Sequence, residues 1–130
     1  MGIFSTRTGG AVQTAPILLR SQIFTGDATL TAEDSGSFIT NQAAAGAVVL
    51  TLPAQQAGMW FIFGNVEQQD LTIAADTADT MAAFNDIAAD NIGFVTANER
   101  VGGGLLVISD GTNWVAMELI HDAQTATLGT

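Results

Sequence analysis

Lysine, cysteine and tyrosine are absent from this 130-residue chain, histidine occurs once and proline twice. Without cysteine there is no disulfide and no thiolate metal site, so the composition leaves the redox compartment open. The single His121 excludes a site built from several histidines of one chain. Positive charge is nearly missing. Three arginines (Arg7, Arg20, Arg100) stand against 13 acids, for a formal net charge of −10. A surface this negative repels phosphate backbones, so no nucleic-acid partner is expected. No apolar run approaches the roughly 18–20 residues that cross a bilayer, so no membrane partner is expected either. The opening MGIFSTRTGG lacks the apolar stretch of a secretory signal. Gly2 and Thr6 fit a short myristoylation pattern. No basic cluster accompanies it, and one acyl chain anchors only marginally, so we read the match as chance.

Charge of either sign is scarce. Charged residues make up 12% of the chain, where about 25% is usual. A soluble protein with so few charges covers itself with Thr, Ser, Ala, Asn, Gln and Gly. Such a surface suits a subunit that buries part of itself against copies or against a larger body. The 48% apolar content includes 21 alanines, leaving enough large side chains for one core in one domain.

The charge is unevenly distributed. Residues 1–26 hold Arg7 and Arg20 and no acid, whereas every acid follows. With Gly9-Gly10 and Pro16, this stretch is expected to be an extended arm leading into the first strand. Its opposite charge makes it a candidate docking arm, with Ile3, Phe4, Arg7, Ile17, Leu18, Leu19 and Arg20 as the residues that would engage a partner. Residues 27–120 are expected to form the β domain and 121–130 a C-terminal tail.

Beyond the arm the hydrophobic period is two. Val48, Leu50 and Leu52 share one face of a strand that Pro53 ends. Met59 to Phe63 is apolar on both faces, which predicts a central strand or one whose second face meets another subunit. Leu71-Thr72-Ile73 and Ile92–Thr96 are further strand candidates. Residues 76–90, rich in Asp and Ala, are expected to be a long loop with a short strand, and Gly102-Gly103-Gly104 a joint. Leu105–Ser109 and Asn113–Leu119 flank Asp110-Gly111, which predicts a hairpin. Trp114, Ala116 and Glu118 then face one way, and Val115, Met117 and Leu119 the other. The sum is an all-β sandwich or open barrel of roughly seven to nine short antiparallel strands, with no internal repeat of fixed period.

Chemistry is sparse. His121 has no G-x-S-x-G elbow to pair with. Glu118, in line with Trp114, is the best carboxylate for glycoside chemistry, but the sequence gives it no aromatic pocket flanked by other polar residues. Asp76, Asp79, Asp86 and Asp90 lack the spacing of a calcium loop and are read as a solvated acidic loop. Gly102–Gly104 has no lysine and no following helix with which to cradle phosphate. Trp60 and Trp114 lie in strand patterns and are read as core rather than as a glycan platform. These residues predict a structural or binding module: no enzyme, no cofactor, no metal.

Three stretches carry a resemblance. Thr29-Leu30-Thr31-Ala32-Glu33-Asp34-Ser35-Gly36-Ser37-Phe38-Ile39 is followed by Val49-Leu50-Thr51-Leu52-Pro53-Ala54 and, after Ala57-Gly58, by Trp60-Phe61-Ile62-Phe63. Much later comes Leu106-Val107-Ile108-Ser109-Asp110-Gly111-Thr112-Asn113-Trp114. This ordered set resembles the small all-β decoration, or head-stabilising, proteins of tailed bacteriophage capsids, and related β-rich modules of phage fibres. The strand after Trp114 departs from that pattern, with Val-Ala in place of an aromatic. The resemblance implies a trumpet-like or sandwich subunit, commonly a homotrimer, on the outer surface of the capsid in contact with the major capsid protein. It carries no catalytic residues. The homotrimer is expected to dock through its N-terminal arm and trimer base; residues 1–26 lie outside the resemblance, so the part played by the arm is inferred from charge. The alternative is a receptor- or glycan-binding module of a fibre or tail.

Overall fold

A computed structural model of the protein describes residues 6–8, 11–13, 19–119 and 125–130. Two short strands, β1 (Thr6–Thr8) and β2 (Ala11–Gln13), pair antiparallel as a separate ribbon. The body comprises β3 (Arg20–Ile23), β4 (Ala28–Thr29), a 3-10 turn (Ala32–Asp34), β5 (Ser37–Thr40), β6 (Val48–Thr51), β7 (Trp60–Gly64) and β8 (Leu71–Ala74). It continues with β9 (Met81–Ala83), β10 (Asp86–Ala89), β11 (Asn91–Phe94), β12 (Gly104–Ser109), β13 (Trp114–Glu118) and β14 (Thr127–Gly129).

These strands form two sheets, one of seven in the order β10-β9-β13-β12-β7-β5-β3 and one of five in the order β14-β11-β8-β6-β4. The all-β sandwich expected from the period of two is what forms. It has more strands than expected, and both sheets are mixed rather than antiparallel. From β3 to β8 the chain alternates between the sheets, so β3, β5 and β7 run parallel in one, and β4, β6 and β8 in the other. Parallel neighbours need a crossover, and here each crossover is a strand of the opposite sheet rather than a helix. The result is three coils wound around one core. Arg20 pairs with Ser37 and Ser37 with Phe61, so the coils differ in length and leave no fixed period in the sequence.

The inner faces close on fully buried Leu50, Leu52, Phe61, Phe63, Ile73, Phe94, Leu105 and Trp114, among others. The Phe61 ring lies 5.9 Å from Phe63 and 6.0 Å from Trp114, centroid to centroid. Gly103 is required by this core, because a Cβ there would sit 2.5 Å from the Phe94 ring.

Three local expectations change. Residues 81–89 are a hairpin, not a long loop with one strand. Phe84 and Asn85 supply the two positive φ angles, 49° and 66°, of a two-residue connection. The Asp110 turn is a four-residue loop in which Gly111 takes positive φ. There the Asp110 carboxylate accepts the amides of Thr112 and Asn113. Finally, the expected tail contains β14, which pairs with β11 and closes an edge of the five-stranded sheet.

Candidate interaction face

The two sheets present very different outer surfaces. On the five-stranded sheet the outward positions are Thr29, Val49, Thr51, Thr72, Ala74, Asn91, Gly93 and Thr127. That is the small, hydroxylated surface of a sheet that faces water. The outer face of the seven-stranded sheet is built otherwise. Phe38 of β5 stands beside Ile62 of β7, Ile62 beside Leu106 of β12, and Leu106 beside Met117 of β13. A second row runs from Trp60 through Ile108 to Val115. Ile23 extends the face to the β3 edge, where it is 56% exposed. None of these strand positions carries a charge.

Alternation explains the placement. In β7, Phe61 and Phe63 point inward and are fully buried, so Trp60 and Ile62 point outward and remain half-exposed. Both halves of the apolar run at 59–63 are therefore apolar, but among the described residues only one is fully covered. Beside the β3 edge this face dips into a depression of about 480 Å³, bordered by Ser21, Ile23, Phe38, Thr40, Gln42, Val66 and Glu67.

The acids serve elsewhere. Backbone amides are accepted by Asp27 (from Val49), Asp34 (from Thr31), Glu67 (from Ala43), Asp79 (from Gln55) and Asp86 (from Ala88). Asp70 pairs with Arg100 at 2.6 Å. Most of these carboxylates fasten loops, which is work that needs an ionised acceptor and no chemistry. Partial burial pushes the Asp34 carboxyl up. Bonds from the Thr31 amide, Gln22 and the Thr31 hydroxyl, with Arg20 nearby, outweigh it and hold the group below the usual carboxylate range. Bonds from the Asn113 and Thr112 amides lower Asp110 likewise.

Of the predicted arm residues, Ile3, Phe4, Ile17 and Leu18 lie outside the described residues, as does His121. Arg7 falls in β1. Leu19 is 51% exposed at the entrance to β3. Arg20 is turned into its own domain: Nε donates to Ser37 Oγ at 3.0 Å, and Nη2 donates to the carbonyls of Glu33 and Ser35. It fastens the edge strand to the 3-10 turn. Asp76, Asp79 and Asp90 border a second depression of about 330 Å³, but among the described residues no group of His, Cys, Asp or Glu is arranged to hold a metal. Glu118 is half-buried at the end of β13. Trp114 is fully buried, as read from the sequence, whereas Trp60 is half-exposed on the outer face.

Sequence reasoning missed one buried polar feature. Asn41 and Asn65 follow β5 and β7 at equivalent places in successive coils, and both are fully buried. Asn41 Nδ2 donates to Asn65 Oδ1 at 2.9 Å, Asn65 Nδ2 donates to the Gln69 carbonyl, and Asn41 Oδ1 accepts the Val66 amide. Only the parallel register of β5 and β7 makes the pair visible.

Compared with protein-family models and with curated proteins, the sequence matches none.

Proposed function

We propose that this protein is a virion structural component that decorates and stabilises the outer surface of a bacteriophage capsid, as a homotrimer in contact with the major capsid protein. The reading rests on the resemblance in strand motifs and, in the structure, on one observation: a sheet apolar on both faces, with the outer one uncharged. A cement subunit works by bridging neighbours, which calls for area and symmetry rather than reactive groups. In this reading the chain is not an enzyme, and its carboxylates serve as loop fasteners. The acidic remainder keeps an outward-facing shell soluble.

The acid-free N-terminal segment is assigned to capsid docking. Because Arg20 is committed to the sheet, the segment to remove is residues 1–18. Co-sedimentation with empty shells of the major capsid protein from the same genome tests the assignment. The full chain is expected to pellet with shells, and the 1–18 deletion to stay in the supernatant with an unchanged far-UV circular dichroism spectrum. Normal pelleting of the deletion would remove the arm from the account, and failure of the full chain to pellet would remove the capsid.

A receptor- or glycan-binding module of a fibre or tail is the second reading. Half-exposed Trp60, together with Phe84 exposed at the tip of the β9–β10 hairpin, gives it a physical basis. Glycan binding abolished by Trp60→Ala would favour it.

A further inference from the structure

We infer that the outer face of the seven-stranded sheet is where copies of this chain meet, its occupant being the same face of neighbouring copies. This deepens the reading above and takes from it only the expectation that the chain associates with itself.

A chain of net charge −10 resists meeting its own copies, and the resistance is least where the meeting surfaces hold no charge. The strand positions of this outer face are uncharged. The acids that fasten loops lie at strand ends and connections, so copies joined through this face keep them apart. A foreign partner selected for such a chain would instead be expected to exploit its negative charge through basic groups, and the strand positions of this face offer none to pair with; Glu67, at the rim, is bonded to the Ala43 amide.

Sheets with one hand of twist can converge about a three-fold axis, each copy's outer face meeting the same face of its two neighbours, with side chains interdigitating as inside a sandwich. Trp60, Ile62, Leu106, Ile108, Val115 and Met117 are the large side chains available for this, and their inward-facing neighbours already pack that way against the other sheet. The five-stranded sheet, with its threonines, offers nothing equivalent.

Five strands spaced about 4.8 Å apart and about five residues long give a patch of roughly 400 Å² in plan. The largest apolar patch on a typical monomer is about 300–600 Å² and is often functional. Here the apolar outward positions run in register from Phe38 through Ile62 and Leu106 to Met117, with Ile23 at the β3 edge beyond Ser21 and Thr40.

Sedimentation velocity on the full chain, on Leu106→Glu and on Val49→Glu tests the inference. Val49→Glu places the same charge on the outer face of the other sheet. The wild type and Val49→Glu are expected to sediment as oligomers, and Leu106→Glu as a monomer with an unchanged circular dichroism spectrum. Raising salt from 0.05 to about 0.5 M, where screening shortens to a few ångströms, is expected to strengthen wild-type association. Docking to a basic partner would weaken under the same change. Should Leu106→Glu not fold, dilution of the wild type gives the answer: Trp60 emission shifts to the red as copies separate, and Trp60→Phe loses that shift. A monomeric wild type, or a Leu106→Glu protein that remains an oligomer, overturns the inference. If Leu106→Glu stays oligomeric but no longer pellets with shells, the face belongs to the capsid and the proposed function survives without the inference. If the wild type is an oligomer that Leu106→Glu breaks, yet no shells bind it, the inference survives without the function.

Discussion

At the scale of single residues, the informative groups are polar ones placed where water cannot reach. Asn65 bridges Asn41, the Gln69 carbonyl and the Glu67 amide from a fully buried position. Asn65→Ala strands the Asn41 amide, and one unsatisfied buried partner costs about 1–3 kcal/mol. Urea unfolding should therefore show a stability loss of about 2 kcal/mol with an unchanged m-value. Asp34 makes a prediction in pH. Its folded carboxyl lies below its ordinary value of 3.8, so its contribution is fully present above that value and is lost as pH falls through the folded one. The stability gap between wild type and Asp34→Asn should be constant from pH 7 to about 5 and close below 3.8, as followed by thermal unfolding. None of this was legible beforehand. Asn41 and Asn65 stand far apart in the chain, and only a shared register brings them together. Arg20 was expected only in the docking arm, because nothing in the sequence shows that Ser37 and two carbonyls lie within its reach.

At the scale of elements, alternation was the reliable signal, and it located β6, β7, β12 and β13. It also exposed the character of the candidate face, since 59–63 was apolar on both sides and 115, 117 and 119 shared one side. Alternation says nothing about which strand pairs with which, so the parallel order of β3, β5 and β7 was hidden. Connection lengths of an ordinary kind concealed it further, because each crossover contains a strand. The β9–β10 hairpin escaped for a different reason. Its turn is Phe84-Asn85, and a bulky aromatic at φ 49° is rare where asparagine or glycine is usual. Phe84→Asn should relieve that strain and raise the stability of the protein by about 0.5–1 kcal/mol, measured as a higher urea midpoint. An unchanged or lower midpoint would mean that packing of the Phe84 ring outweighs the strain of its backbone. The short β14 was missed because a three-residue edge strand among Thr, Ala and Gly has no pattern to distinguish it from a tail.

At the scale of the whole molecule, an acidic, lysine-free chain folds into a sandwich whose two outer surfaces have opposite characters. One is covered in threonine and small residues, and the other carries Phe, Trp, Ile, Leu, Val and Met from five adjacent strands. The two-sided apolar strand pointed to this from the sequence, whereas the arm residues bear on capsid docking and not on this face. A surface of the second kind is stable in water when something covers it, and the proposed cover is a copy of the same chain. The most direct measurement is the solution mass of the full chain, by light scattering behind a sizing column in moderate salt. A homotrimer has a mass near three times 13.4 kDa, and that is the value expected. A single species at 13.4 kDa, unchanged by concentration or salt, would contradict it.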